Sequence, residues 1–455
     1  MFLGIDIGTT AIKVGVLEAR EIIYQQTYPI QTKVNQSRTQ SASEIEAQLM
    51  RGLSELPSSL RKQISVIGFS TAMHSLMPVI NGIFEDIYIW SDNQASQVIE
   101  NFRRTSLSET FYQQTGTPIH AMSPFAKLLY FKSEELYPSN TKWYGLKELV
   151  MLLFTGKAMI DRSTASATGL YSLNQANWSQ EILDYLSLSS EQLAPICDTT
   201  DCFPISIEAA TRFGLDESVQ IMCGASDGCL AAYAGYISTG IKNSLTIGTS
   251  AAVRKVTNQV AFDRRQNFCY YLNEDQFVVG APSNNGGTVL AWIKENLAQD
   301  PTTFYKDLPR IVEESPIGSN GLRFFPFING ERAPFWKGNI KASYHGLTMQ
   351  HTRSDMIHAA LEGMLLNIRV LKEMTGITDE VTISGGVFQT KAIAQMTADI
   401  LGITCYLSPA NEPIFGLYDL YFGQSSQPDK EYLQAITPNK KNSEQYETLA
   451  QDYFE

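Results

Sequence analysis

The sequence predicts an α/β protein of two related halves facing each other across a cleft, and three observations carry the prediction. The first is a strand–turn–strand signal at the N-terminus, MFLGIDIGTTAIKVGVL. The second is its reduced return as IGTSAAVR from Ile247, where Gly8, Thr9 and Thr10 fall on Gly248, Thr249 and Ser250 at one constant offset. The third is size, since a chain of 455 residues ordinarily makes two or three domains with ample core. The expected domains are 1–242 and 243–455.

Residues 3–7 read as a short apolar strand holding one carboxylate, Asp6. Gly8-Thr9-Thr10 reads as a tight turn, because glycine reaches backbone angles that a Cβ resists. Residues 12–17 read as the returning strand of a β-hairpin. The copies differ at one telling place: Asp6 has Thr246 as its counterpart. One loop can hold a cation as well as phosphate oxygens, while the other offers N–H and hydroxyl donors. Two donor loops and one carboxylate suit a nucleoside triphosphate with Mg²⁺. Taken alone, the first motif is equally an ordinary hairpin with a turn carboxylate; the matched second copy favours the functional reading.

Composition narrows the class. Hydrophobic residues make up 44% and charged residues 18%, a globular balance. A net charge of −12 argues against nucleic acid, which rewards basic surface. It leaves room for an anionic small substrate in a locally positive pocket. No apolar run reaches transmembrane length and no signal peptide is evident, so the expectation is a cytoplasmic protein with no membrane partner. The six cysteines form no CxxC pair and read as buried thiols, with a Cys197–Cys202 bridge as the minor alternative. The five histidines show no metal-ligand spacing.

Beyond the hairpin, residues 22–32 predict a third strand. Residues 43–53 carry a helical spacing at Ile45, Leu49 and Leu53, with Ser43 and Glu46 as a capping box. Residues 64–69 read as a buried strand running into STAMHS. Loops at the carboxyl ends of such strands commonly bind ligands, so His74 is a contact candidate beside the blander reading of a structural histidine. Residues 87–90 make a short strand and 94–105 a helix. Asp92, between them, can accept hydrogen bonds from a polyol or cap the helix. Residues 116–129 form a loop entering a helix, 146–154 an apolar helix stopped at Thr155-Gly156, and 161–171 (DRSTASATGLY) a small-residue loop without a nucleophile–base pair.

In IMCGASDGCLAAYAGY, residues 221–236, a strand ends in Gly-Ala-Ser before Asp227 and an alanine-rich helix. Asp227 is either the helix N-cap, worth about 1 kcal/mol, or the base that takes a hydroxyl proton in phosphoryl transfer. Asn284-Asn285-Gly286-Gly287 precedes an apolar helix, as a nucleotide contact or a glycine turn. Residues 330–334 make a polar turn. Thr352 and Asp355 form a capping box for a helix over 354–374, and Gly376 stops it. VTISGGVFQ is a strand and a Gly385-Gly386 turn before a helix over 391–401. The paired glycines admit a planar base or close strand–helix packing. The tail from Gln424, with Pro428 and Pro438, reads as peripheral.

In this order, GIDIGTT, GFSTAMHS, IWSDNQA, DRSTASATGL, GASDG, IGTS, NNGG, NGERAPFW and SGGVFQ resemble the FGGY carbohydrate kinases of the actin/hexokinase-like superfamily. The match runs over 1–423. The resemblance implies two actin/hexokinase-like (ribonuclease H-like) domains flanking a nucleotide cleft, with ATP and Mg²⁺ as cofactors. The sugar or sugar acid would bind mainly in the first domain. It implies Asp6 at the metal and Asp227 as catalytic base. Gly8, Thr9, Thr10, Lys13, Gly248, Thr249 and Ser250 would lie at the phosphates. Asn285, Gly286, Gly287, Gly385, Gly386 and Gln389 would lie near adenosine. Met73, His74, Trp90 and Asp92 would join Asp227 in the sugar pocket. A homodimer is left open.

Within the family, TAMHSLMPV, IWSDNQAS, IHAMSPFAKL and SATGLY are most similar to the branch that phosphorylates D-gluconate at its 6-hydroxyl; xylulose phosphorylation is the alternative. Two departures stand out. Gln94 occupies a place where that branch carries Arg, so the acid group needs another cation or donor. GLYDLYFG, residues 416–423, is bulkier than the usual small-residue helix. A regulator with weak turnover is the second alternative, and a filament-forming ATPase the third. Retained Asp6 and Asp227 weigh against the former, and a hydroxyl-base site would serve no purpose in the latter.

Overall fold

The computed structural model describes residues 1–409, 412–423 and 430–454. The predicted hairpin forms from β1 (Phe2–Ile7) and β2 (Ala11–Glu18), antiparallel, with Asp6 opposite Lys13. The Gly8 N–H closes the turn on the Ala11 carbonyl at 3.0 Å. β3 (Glu21–Pro29) extends the sheet on the far side of β2. The helix α1 (Ala42–Glu55) buries Ile45, Leu49 and Leu53 as its spacing predicts. Its capping box does not form. The helix starts at Ala42 with Ser41 as N-cap, so Ser43 is already inside it and Glu46 pairs with Arg212 instead.

β4 (Val66–Thr71) lies parallel to β1. The helix expected over 94–105 is shorter, Ser96–Phe102. α2 (Leu146–Thr155) ends at Gly156 in a left-handed conformation. The stretch 161–171, read as a loop, contains the short helix α3 (Arg162–Ser166). Asp161 caps it by accepting from the Thr164 N–H at 2.8 Å, because an N-cap carboxylate satisfies a free helix-end donor. β5 (Cys202–Pro204) and β6 (Gln220–Ser226) complete a six-stranded sheet ordered β5-β6-β4-β1-β2-β3. α4 (Asp227–Thr239) follows β6 directly. No Cys197–Cys202 bridge is present; the Cys197 sulfur faces Cys223 at 3.0 Å instead.

The second half repeats the plan. β7 (Asn243–Ile247) and β8 (Ala251–Thr257) form the second hairpin. Its turn is tighter, with the Gly248 N–H on the Ser250 carbonyl at 2.9 Å. β9 (Phe268–Asn273) and β10 (Gln276–Ser283) widen the sheet, and α5 (Gly287–Asn296) follows. The long helix α6 (Arg353–Met374) starts on the predicted Thr352/Asp355 capping box. β11 (Val381–Ser384) lies parallel to β7 as β4 does to β1. After it come α7 (Lys391–Leu401), β12 (Cys405–Leu407), α8 (Pro413–Phe422), β13 (Gln434–Ile436) and α9 (Lys440–Ala450). The strand order is β9-β10-β8-β7-β11-β12-β13.

Two features of the C-terminal region differ from the sequence reading. The tail is not peripheral. Gln424 and Pro428 lie outside the described residues, but β13 forms an edge strand, and Tyr446 and Tyr453 are buried in the second core. α8 returns to the first sheet, where Ile414, Leu417 and Tyr418 share a core with Phe2, Val66 and Met222. The bulk of GLYDLYFG is used there, as Tyr418, Tyr421 and Phe422 ring Phe2. Gly416 lets α8 cross α4 closely: a Cβ would sit 2.3 Å from the Leu230 carbonyl oxygen.

One buried carboxyl on α6 makes stability depend on pH. Glu362 is fully buried and accepts from the Gly318 N–H and the Ser319 hydroxyl, each at 2.8 Å. Burial outweighs those bonds and raises its pKa from 4.5 to about 7. The folded state therefore keeps a proton that the unfolded chain releases. The associated stability is complete below pH 4.5 and is lost as pH rises through about 7. Glu362→Gln is expected to flatten the fall in melting temperature between pH 5 and 8. Parallel melting curves would contradict this.

Candidate active site

A cavity of about 400 Å³ opens between the two sheets. From the first half Asp6, Thr9, Met73, His74, Trp90 and Asp227 line it. From the second come Thr246, Ser250, Arg254, Tyr270 and Arg332. The strand-end carboxylates and both turns therefore meet at one place.

Asp6 sits near the end of β1 and accepts from the Ser70 hydroxyl at 2.7 Å. Burial pushes its carboxyl up to about 7 against that bond, and the nearby Asp227 charge adds to the push. A divalent cation would hold such a carboxylate ionised. Among the described residues no cluster of three His, Cys, Asp or Glu could hold a metal. One carboxylate nevertheless fits Mg²⁺, which keeps waters and is commonly held by one or two carboxylates plus substrate phosphates.

Asp227 is the first residue of α4, with Ser226 as N-cap, so the capping alternative does not describe it. Its Oδ1 accepts from the Gly228 N–H at 2.7 Å. Burial raises its pKa, opposed by that N–H and by Arg254. A β-bulge aims it. β6 slips register against β4 between Met222 and Ala225. Gly224 takes φ 74° there, and a Cβ would lie 2.1 Å from the Phe69 carbonyl oxygen.

The bulge frees carbonyls, and a buried lysine collects them. Lys147 Nζ donates to Phe69 O at 2.7 Å and to Cys223 O, and it lies 3.3 Å from Asp161 Oδ2. Ser163 Oγ, on α3, is 2.9 Å from Ser226 Oγ. Asp227 is thus held from behind by Lys147, Asp161 and α3. Lys147→Met leaves Asp161 as an unpaired buried charge and is expected to cost about 3–5 kcal/mol, read by urea unfolding. A loss under about 1 kcal/mol would mean that the pair does not brace the bulge.

His74 adopts φ 64° and places Nδ1 2.7 Å from the Ala167 carbonyl oxygen. Burial, helped by the Lys127 charge, drives its pKa down to about 3, so the ring is neutral near pH 7. A carbonyl only accepts, so Nδ1 carries the proton and Nε2 is left to accept from a hydroxyl. Trp90 Nε1 donates to Thr9 Oγ1 at 3.0 Å, and its ring lies 5.3 Å from the Arg332 guanidinium. Asp92 stands apart from the cavity lining. Its carboxylate accepts from the Arg38 N–H at 2.7 Å and the Gln94 N–H at 3.3 Å, and it does not cap Ser96–Phe102.

The second turn packs on the other glycine motifs. The Gly287 N–H donates to Gly248 O at 2.7 Å, and the Thr288 hydroxyl to Thr249 O at 2.8 Å. A Cβ on Gly286 would lie 2.7 Å from the Ser250 carbonyl. Gly385, at φ 119°, would bring a Cβ within 2.0 Å of Ile247 O. Close packing thus requires these glycines, and none of Gly248, Gly286, Gly287 and Gly385 lines the cavity. Asn285 turns its amide inward, onto Gly330 O at 2.7 Å and Glu331 at 3.1 Å. Lys13 is engaged by Glu412 at 2.6 Å. Gln389 is exposed beside Gly386.

Among the cavity residues not singled out from the sequence are Arg254, Tyr270 and Arg332. The signal for Arg254 was strand alternation, since Ser250, Ala252 and Arg254 share one face running from the turn along β8. Arg332 lay in NGERAPFW, which reads locally only as a polar turn.

Two α/β domains carrying matched hairpin turns, with a carboxylate at each of two strand ends in the cleft between them, define a phosphotransferase of the two-domain kinase class. Residues 1–234 match the N-terminal domain of the FGGY family of carbohydrate kinases and residues 243–416 its C-terminal domain, and the chain belongs to that family. It is 31% identical to the gluconokinase of Bacillus subtilis, over 98% of this chain and 93% of that protein. The ligand-bound xylulose kinase of Lactobacillus acidophilus superposes with a TM-score of 0.91 at 27% identity, covering 99% of this chain and 96% of that one. The gluconate kinase of the same organism superposes at 0.89, also at 27% identity, covering 99% and 98%. No helix among the described residues is long and apolar enough to cross a membrane.

Proposed function

We propose that this carbohydrate kinase transfers the terminal phosphoryl group of ATP to a sugar acid, converting D-gluconate to 6-phosphogluconate. The observation that carries the reading is the shared cavity, in which Asp6, Asp227, His74 and Trp90 meet. The gluconokinase relative supports the choice of acceptor. Xylulose is the second reading, favoured by the superposition on a xylulose kinase.

Asp227 accepts the proton of the attacking hydroxyl as the new O–P bond forms. An alcohol has a very high pKa, so the transfer occurs within the transition state rather than before it. His74 Nε2 and Trp90 orient the polyol. The N–H and hydroxyl groups of Thr9, Thr10, Thr249 and Ser250 stabilise charge on the phosphates. Asp6 would hold Mg²⁺, which neutralises phosphate charge when bound. Burial between the domains excludes water that would otherwise compete as acceptor.

ADP release with ATP and Mg²⁺ is to be measured against gluconate, xylulose, ribulose, glycerol and a no-sugar blank. Turnover restricted to gluconate is expected. Preference for xylulose would keep the kinase and replace the acceptor. Silence with every sugar, in protein that binds ATP, would favour a regulator.

A further inference from the structure

We propose that Arg254 and Arg332, both from the second domain, form the subsite for the acid group of the substrate; the inference rests on the sugar-acid reading above. Arg254 rises from β8 into the cavity beside Asp227, with Nε and Nη2 within 3.6 and 3.7 Å of where a Gly228 Cβ would lie. No side-chain hydrogen bond joins it to any described residue, and its buried Nε has no partner. Arg332 lies over Trp90 and spends one bond, from Nη2 to Ser283 O at 3.0 Å, while its Nε is also buried without a partner. The Tyr270 hydroxyl, in the same cavity and within reach of the Arg332 charge, is a third buried group without a partner.

The neighbouring charges do not satisfy this pair. Glu331 faces Arg332, but its oxygens already accept from Ser283, Asn284, Asn285 and Asn367. Asp227 faces Arg254 and is needed at the reacting hydroxyl. Lys127 is turned away onto the carbonyls of His74 and Met122, and burial keeps His74 and His120 neutral. Two half-buried guanidiniums, each with its Nε buried and unpartnered, thus face a cavity whose two carboxylates, Asp6 and Asp227, are assigned to the cation and the reacting hydroxyl. Buried cations without partners are costly, and an entering carboxylate removes that cost by accepting from planar forks.

The arrangement explains how Gln94 is compatible with an acidic substrate, since the cation comes from the other domain. It also makes the sugar acid a bridge, with a hydroxyl on His74, its carbon chain beside Trp90, and its acid group on β8 and the 329–332 turn. A neutral sugar lacks the second anchor.

The test is Arg254→Gln and Arg332→Gln, with Arg332→Lys as the conservative partner, each checked by thermal melting. Arg254 surrenders no side-chain hydrogen bond on replacement, which keeps at least one variant foldable. Each Gln variant is expected to raise KM for gluconate about 100-fold, with KM for ATP moving less than about threefold. Arg332→Lys should recover part of the loss, because it keeps charge without the fork. KM for gluconate unmoved in both folded Gln variants would overturn the subsite. A rise in KM for ATP that tracks the rise for gluconate would also overturn it, assigning the guanidiniums to nucleotide phosphate. Failure of the underlying reading shows separately: wild type would prefer a neutral sugar before any variant is made, and the subsite would fall with it.

Discussion

Asp227→Asn is expected to lower kcat for sugar phosphorylation by about 10²–10⁴-fold while gluconate and ATP still bind. The amide keeps the shape of the carboxylate and can still accept from the Gly228 N–H. What it loses is the ability to take a proton. The environment of Asp227 matches that role, since burial raises its pKa and makes it a better base than a solvated carboxylate. Initial rates and equilibrium binding separate the two effects. Normal turnover in Asp227→Asn would remove the general base. Loss of gluconate binding with unchanged kcat at saturation would recast Asp227 as a binding group.

Asp6→Asn is expected to reduce turnover by roughly 10²–10³-fold and to shift the Mg²⁺ dependence of the remaining rate to higher concentration. Asp6 is the carboxylate that distinguishes the first turn from the second, where Thr246 stands. Thr246 bonds with Ser384 at 3.2 Å and cannot replace it. The neutral side chain should leave the fold intact, because burial already holds Asp6 near 7. A Mg²⁺ titration coincident with wild type would show that the cation is held elsewhere.

The parts of the fold legible in the sequence were those with local causes. Both hairpins follow from a glycine turn between apolar strands, and α6 from its capping box. Asp6 stood out because the second copy of the turn carries Thr246 in its place, and Asp227 through the family resemblance; the local pattern alone left each beside a structural reading. Residues whose role depends on distant backbone were not legible. Lys147 reads as one charge on an apolar helix until the bulge at Gly224 shows which carbonyls it serves. The packing of α8 against the first sheet joins Ile414 to Phe2 across nearly the whole chain. Arg254 and Arg332 share the cavity because the turn carrying Arg332 packs on β10, with the Ala333 N–H on Pro282 O, and β10 pairs with β8. The setting of Asp92 depends on distant backbone in the same way: its partner, the Arg38 N–H, lies on a strand that its own neighbourhood does not reveal.

The most direct test of the central claim is product identity. Wild-type protein incubated with ATP, Mg²⁺ and D-gluconate should yield ADP and a single phosphomonoester in equal amounts, with the phosphate on the terminal carbon by ³¹P NMR. Inorganic phosphate in place of the ester, or an ester formed only when xylulose replaces gluconate, would contradict the account.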